Sequence, residues 1–79
     1  MHQNWSPVVY RHYKHKRDPL RFLYHEDGRP LSDPSPEYAS IQNWDQIEEF
    51  ESIENIPEDF RKLVRLDGYL IYSQARGPD

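Results

Sequence analysis

The fold of this chain is decided first by residues 8–25, VVYRHYKHKRDPLRFLYH, which predict two strands joined by a turn. Residues 8–15 are rich in the β-branched and aromatic side chains that favour strands. In residues 20–25 apolar side chains recur at every second position, which places them on one face of a strand. Between them, residues 16–19 contain an Asp-Pro pair that is typical of a turn. The segment therefore predicts an N-terminal β-hairpin.

Two helices are predicted in the second half of the chain. Asn43 and Gln46 have the spacing of a capping box, and acidic residues follow them, so we expect a helix over residues 44–52. Pro57 suits the first position of a second helix, whose opening turn is acidic and which ends at Gly68. The apolar residues in this half recur at every third position and drift around a helix, which favours two short helices over one long one.

Two further segments complete the predicted elements. Residues 69–73, YLIYS, predict a C-terminal strand. Residues 37–41 predict a short strand, although Pro36 could equally begin a helix there.

These elements predict an α+β fold. We expect a small antiparallel sheet, made from the N-terminal hairpin and the C-terminal strand, with or without a fourth short strand, and with the two short helices packed on one face. The chain is short enough for a single domain over residues 1–79, with frayed ends at 1–6 and 75–79. The predicted core contains Trp44, Ile47, Phe60 and Leu63.

Composition restricts the class of protein. The absence of cysteine excludes disulfides and thiolate metal sites, and it fits a reducing compartment. The first residues do not resemble a signal peptide, and no apolar stretch approaches membrane-spanning length. The sequence therefore predicts a cytoplasmic protein without a membrane segment.

No motif predicts catalysis, a metal or a cofactor. His12 and His15 are an odd number of residues apart, so in a strand they lie on opposite faces and do not chelate one ion. None of the six serines is in a strained glycine-flanked turn that would suit a nucleophile, and the three glycines are too scattered for a phosphate loop. We therefore expect a non-enzymatic protein with no cofactor and no metal ligands.

Charge is distributed unevenly along the chain, and this is its most informative feature. Residues 1–25 contain five Lys or Arg and one acidic residue, whereas residues 33–59 contain nine Asp or Glu and no Lys or Arg. Carboxylates on adjacent helical turns are spaced comparably to phosphates along a nucleic-acid strand. In composition the chain is similar to small acidic inhibitors, encoded by viruses and other mobile elements, that cover a basic groove of a larger protein. We therefore predict a protein-binding regulator or inhibitor of the nucleic-acid-mimic type, whose acidic helical face consists of Asp45, Glu48, Glu49, Glu51 and Glu54.

Two alternatives stay open. The hairpin mixes cations with aromatic rings, as do sheet surfaces that bind RNA or single-stranded DNA. That function would use Tyr10, Arg11, Tyr13, Lys14, Lys16, Arg17 and Arg21. A third possibility is a self-associating accessory subunit, in which the basic hairpin of one copy contacts the acidic helices of another; in all three cases no membrane partner is expected.

Overall fold

The structure is a computed structural model that describes residues 8–74. Its larger elements are four strands and two helices: β1 Tyr10–His15, β2 Arg21–Glu26, α1 Pro36–Ala39, β3 Trp44–Phe50, α2 Glu58–Asp67 and β4 Tyr69–Ser73. Single 3₁₀ turns at Ile41–Asn43 and Ile53–Asn55 precede β3 and α2. The α+β fold with an antiparallel sheet is confirmed; the predicted frayed ends, 1–6 and 75–79, lie outside the described residues.

The four strands form one antiparallel sheet in the order β3-β1-β2-β4. The hairpin β1–β2 forms its centre, with Tyr13 opposite Leu23, and β3 and β4 are the edges. Pairing between β1 and β3 shifts by one residue, because His12 lies opposite Glu48 while Tyr13 lies opposite Gln46. Ile47 is therefore the extra residue of a β-bulge.

Each face of the sheet has its own small core. On one face, here the α2 face, Tyr10 and Tyr24 pack with Ile56 and Val64. On the other, here the loop face, Tyr13, Leu23 and Trp44 pack together, and Tyr38 of α1 covers them. Because neighbouring side chains of a strand point to opposite faces, the aromatic hairpin supplies both cores at once.

Helix α2 ends as its sequence predicts. Gly68 adopts a left-handed conformation with φ 83°, and its N–H donates to the carbonyl of Val64. The guanidinium of Arg29 lies against the same helix end, where it donates to the carbonyls of Arg65 at 3.3 Å and Leu66 at 3.1 Å. These contacts satisfy carbonyls that have no partner within the helix.

The predicted helix over residues 44–52 is wrong, because most of this segment is the edge strand β3. Asn43 does not cap a helix; its side-chain amide donates to the carbonyl of Glu37 at 2.9 Å. Helical preference is weak in a segment with Trp, Ile, Phe and Asp, and pairing with the open edge of β1 satisfies its backbone groups. Pairing with β1 therefore outweighs the local preference for a helix start that the acidic residues indicate.

Three further expectations differ from the structure. Residues 37–41 are not a strand, because Pro36 begins α1 instead, and the two helices pack on opposite faces of the sheet. Trp44 is buried and Phe60 packs against the α2-face core, as expected. Ile47 and Leu63 are instead 49% and 41% exposed. Ile47 is exposed because it is the bulge residue, and Leu63 because the inward side of α2 is centred on Phe60 and Val64.

Tyrosine burial predicts a characteristic alkaline transition. Burial is the largest cause that raises the pKa of five tyrosines above the usual 10.0: Tyr10, Tyr13, Tyr24, Tyr69 and Tyr72. Because the folded-state pKa is raised, the stabilisation is complete below about pH 10 and is lost as pH rises through the folded-state values. We expect phenolate absorbance and loss of circular dichroism to change together above pH 10. The chain in denaturant, as the control, should titrate near pH 10; the same titration in the folded chain, without unfolding, would contradict this.

Candidate protein-binding surface

Strand β3 is exposed along the middle of its length. Its five central residues, from Asp45 to Glu49, are all exposed, so neither face of the sheet is covered there. Among the described residues no strand pairs with its outer side. The N–H of Lys16 donates to the carbonyl of Asn43 at 2.8 Å, so the carbonyl of Asn43 points toward the β1 side. In an antiparallel ladder, residues whose backbone groups bond the neighbouring strand alternate with residues whose backbone groups point away from it. The backbone groups of Trp44 and Gln46 therefore point away from the sheet.

The acidic side chains of β3 lie beside basic residues of β1 and of the turn that follows it. Arg11 Nε is 3.4 Å from Glu49 Oε1, and Lys16 Nζ is 3.8 Å from Asp45 Oδ1. Glu48 Oε1 is 3.1 Å from Nδ1 of His12. The two oppositely charged parts of the sequence thus compensate one another across one pair of strands.

Arg11 is the most constrained of these cations. Its guanidinium also contacts Asp27 at 2.7 Å. Burial opposes its positive charge, but the hydrogen bond and charge of Asp27 and the hydrogen bond of Glu49 raise the pKa of Arg11. The side chain therefore links β1 with β3 and with the turn after β2.

Negative charge without an ion-pair partner continues beyond β3. Glu51 follows the strand, and Glu54 lies in the 3₁₀ turn before α2; neither has a basic partner within 4.0 Å among residues 8–74. Arg61, although close, donates to the backbone carbonyls of Ile56 and Glu54. The predicted residues Asp45, Glu48, Glu49, Glu51 and Glu54 therefore form one acidic stretch, here the acidic segment, on a strand and a turn instead of a helical face.

The fold separates the basic residues of the hairpin from its aromatic residues, which the sequence predicts to bind nucleic acid together. Tyr10 and Tyr13 are buried on opposite faces, so neither ring is available for stacking on a base. The exposed cations Lys14, Lys16 and Arg17 lie at the turn end of the hairpin, and Lys16 and Arg17 approach acidic side chains at 3.8 and 3.9 Å. Arg21 pairs with Asp18 at 3.4 Å.

Two of the buried histidines, His12 and His15, have hydrogen-bond partners at both ring nitrogens. His12 stacks on Tyr24, and its Nε2 meets the Tyr72 hydroxyl at 2.7 Å while Nδ1 meets Glu48. This Tyr-His-Glu chain does not suit a nucleophile, because burial raises the pKa of Tyr72 and disfavours the phenolate. His15 Nδ1 accepts from the backbone N–H groups of Arg17 and Asp18, both at 3.1 Å, and so shapes the hairpin turn. His12 and His15 lie on opposite faces, as the spacing predicts.

A shallow groove of about 460 Å³ lies on the loop face and is lined in part by Arg11, His25, Asp27 and Arg29. His25 Nε2 donates to the carbonyl of Arg29 at 2.8 Å, and its buried Nδ1 has no partner among the described residues. Arg11 is paired with Asp27, and Arg29 is directed at the end of α2. The groove therefore presents no uncompensated cation to a ligand. Within residues 8–74, no three His, Asp or Glu side chains are grouped as metal ligands would be.

Comparison of the chain with protein-family models, with curated proteins and with solved structures finds no match. Within the described part of the chain, none of the helices is long and apolar enough to cross a membrane.

Sequence reasoning missed both sheet edges as surfaces. For β3 the available signal was the spacing of three between Trp44, Ile47 and Phe50, which does not hold one helical stripe. In the strand, the bulge at Ile47 breaks the alternation, so Trp44 packs on the loop face and Phe50 on the α2 face. For β4 the strand was predicted correctly, but its position at an edge depends on the order of the strands.

Proposed function

We propose that this protein is a non-enzymatic regulator or inhibitor that binds a larger protein through the acidic segment. The observation that carries the proposal is the exposure of β3: five consecutive residues, three of them acidic, are uncovered on an edge strand. A basic surface of the partner, of the kind that binds nucleic acid, complements this charge. The proposed partner is therefore a protein with such a surface.

Part of the acidic segment is better placed to bind than the rest. Glu49 is already compensated by Arg11 within the sheet, and Glu48 is hydrogen-bonded to His12. Glu51 and Glu54 have no such compensation, and Glu58 and Asp59 in the first turn of α2 extend the same negative region. We expect Glu51 and Glu54 to supply most of the long-range attraction, because uncompensated charges dominate the field at a distance.

Direct nucleic-acid binding is less favoured by the geometry. A stacking platform needs exposed rings, whereas Tyr10 and Tyr13 are buried. The remaining cations at the hairpin turn are accompanied by Asp18, Glu37 and Asp45. Salt-sensitive binding of a single-stranded oligonucleotide by the isolated protein, lost on replacing Lys14 and Arg17 with alanine, would favour this alternative instead.

The test of the proposal is a charge reversal away from the ion pairs of the sheet. Partners are captured from a lysate at low and high salt and identified by mass spectrometry, and association rates are then measured at several ionic strengths. We expect Glu51→Lys with Glu54→Lys to slow association about tenfold at low salt and to flatten its salt dependence, while the melting temperature changes little.

The matched control is Asp33→Lys with Asp67→Lys, which changes net charge by the same amount at positions outside the acidic segment. Its association rate should stay near that of the wild type. Equal slowing by both double variants would show that only net charge matters, and unchanged rates in both would show that the acidic segment is a solvated surface.

A further inference from the structure

The two edges of the sheet differ in how they are protected against pairing with another strand. Edge strand β3 has acidic side chains and a bulge, both of which oppose edge-to-edge pairing. Edge strand β4, with the sequence YLIYS, has no charge, no proline and no bulge in its pairing with β2. None of the described residues pairs with its outer side.

From this contrast we propose that β4 is the contact of a homodimer, in which the β4 strands of two copies pair antiparallel about a twofold axis and extend the sheet to eight strands.

The backbone geometry of β4 fits such a pairing. Glu26 N–H donates to the carbonyl of Gly68, and Gln74 N–H donates to the carbonyl of Leu20, at 2.8 and 2.9 Å. Alternation along the ladder therefore directs the backbone groups of Leu70 and Tyr72 to β2, and those of Tyr69, Ile71 and Ser73 outward. With Ile71 on the twofold axis, Ile71 pairs with its own copy, and Tyr69 of each strand pairs with Ser73 of the other. All the outward groups of β4 then have partners.

An apolar flank of α2 adjoins this edge. Arg61 donates to the carbonyls of Ile56 and Glu54, so its side of α2 faces the 3₁₀ turn Ile53–Asn55. Ile53 of that turn packs in the same core as Tyr10 of β1 and Phe50 of β3. By helical periodicity Leu63 lies on the flank opposite to Arg61, and it is 41% exposed; the neighbouring Leu66 is 68% exposed. Helix α2 contacts β4 through Phe60, whose ring centroid is 4.9 Å from that of Tyr72. Twofold pairing of β4 brings these flanks of the two copies toward each other, which would bury apolar surface in addition to the backbone contacts.

The charges of the two edge strands favour pairing with a second copy at β4 and oppose it at β3. Pairing β3 with its own copy would place Glu48 and Glu49 against like charges, which is unfavourable, whereas β4 is uncharged. In the β4 dimer, the two acidic β3 edges lie at the far ends of the extended sheet. The dimer would thus present two copies of the acidic segment.

The test is sedimentation of the full chain at concentrations from about 1 µM to about 1 mM. We expect a reversible monomer–dimer equilibrium, together with hydrogen exchange at the Ile71 and Ser73 amides that slows as concentration rises. Ser73→Pro removes an outward N–H without removing a bond to β2, so it should raise the dimer dissociation constant about tenfold or more. The matched control is Gln46→Pro, which removes an outward N–H from β3 and should leave the constant unchanged.

Leu63→Lys provides a second variant that leaves the strands intact, and we expect it to weaken the dimer as well. A chain that stays monomeric over the whole concentration range would overturn the proposal. So would a dimer that Ser73→Pro and Leu63→Lys leave intact, or one that only Gln46→Pro dissociates.

Discussion

Replacing Trp44 with alanine is expected to destabilise the domain by about 3–5 kcal/mol, which is a large part of the stability of a chain of this size. Trp44 is only 4% exposed, and its indole N–H donates to the carbonyl of Tyr38 at 3.0 Å. Its ring is also perpendicular to that of His15, with the ring centroids 4.7 Å apart. The substitution leaves a cavity on the loop face and removes one of the contacts that hold α1 on the sheet.

Denaturant unfolding followed by circular dichroism measures this loss. The control is Ile47→Ala in the same strand, which should change stability by less than about 1 kcal/mol because the bulge residue is half-exposed. A Trp44→Ala protein with the unfolding midpoint of the wild type would show that the indole does not support the loop-face core.

Gly68→Ala should cost more than Gly28→Ala, although both glycines have positive φ, 83° and 90°. For a residue with a Cβ, the left-handed conformation costs about 1–2 kcal/mol at either site. At Gly28 a new Cβ meets nothing within 4 Å, whereas at Gly68 it would lie 2.6 Å from Cβ of Arg29. Arg29 must then move away from the carbonyls at the end of α2, which adds about 1–2 kcal/mol for its charged hydrogen bonds.

Unfolding free energies of the two variants measure the difference, and Arg29→Gly tests its origin. In the Arg29→Gly background, which removes the Cβ of residue 29 as well as its guanidinium, Gly68→Ala should cost no more than Gly28→Ala does in the wild type, because the clash and the lost contacts are absent. Equal costs for the two glycine variants in the wild-type background would contradict the assigned role of Arg29.

The sequence identifies the acidic residues of the candidate surface, but it does not predict the strand that carries them or the cations beside them. The run of carboxylates identifies Asp45, Glu48, Glu49, Glu51 and Glu54 as one acidic stretch, and the structure keeps them together. The cations that compensate Glu49 and Asp45 are Arg11 on β1 and Lys16 directly after it, and both lie more than 25 residues away along the chain. No local pattern reports such pairing, since register between distant strands depends on the whole sheet.

Local sequence by itself determined the hairpin, the end of α2 and strand β4. Alternation, an Asp-Pro turn and a glycine with positive φ are short-range features, so they act in the same way whatever the rest of the chain does. Only the tertiary structure decided that residues 44–50 form a strand, that Trp44 and Phe50 lie on opposite faces, and that β3 and β4 are the edges. The physical reason is that the intrinsic preference of the β3 segment for helix or strand is small compared with the backbone hydrogen bonds and cross-strand contacts that the open edge of β1 provides.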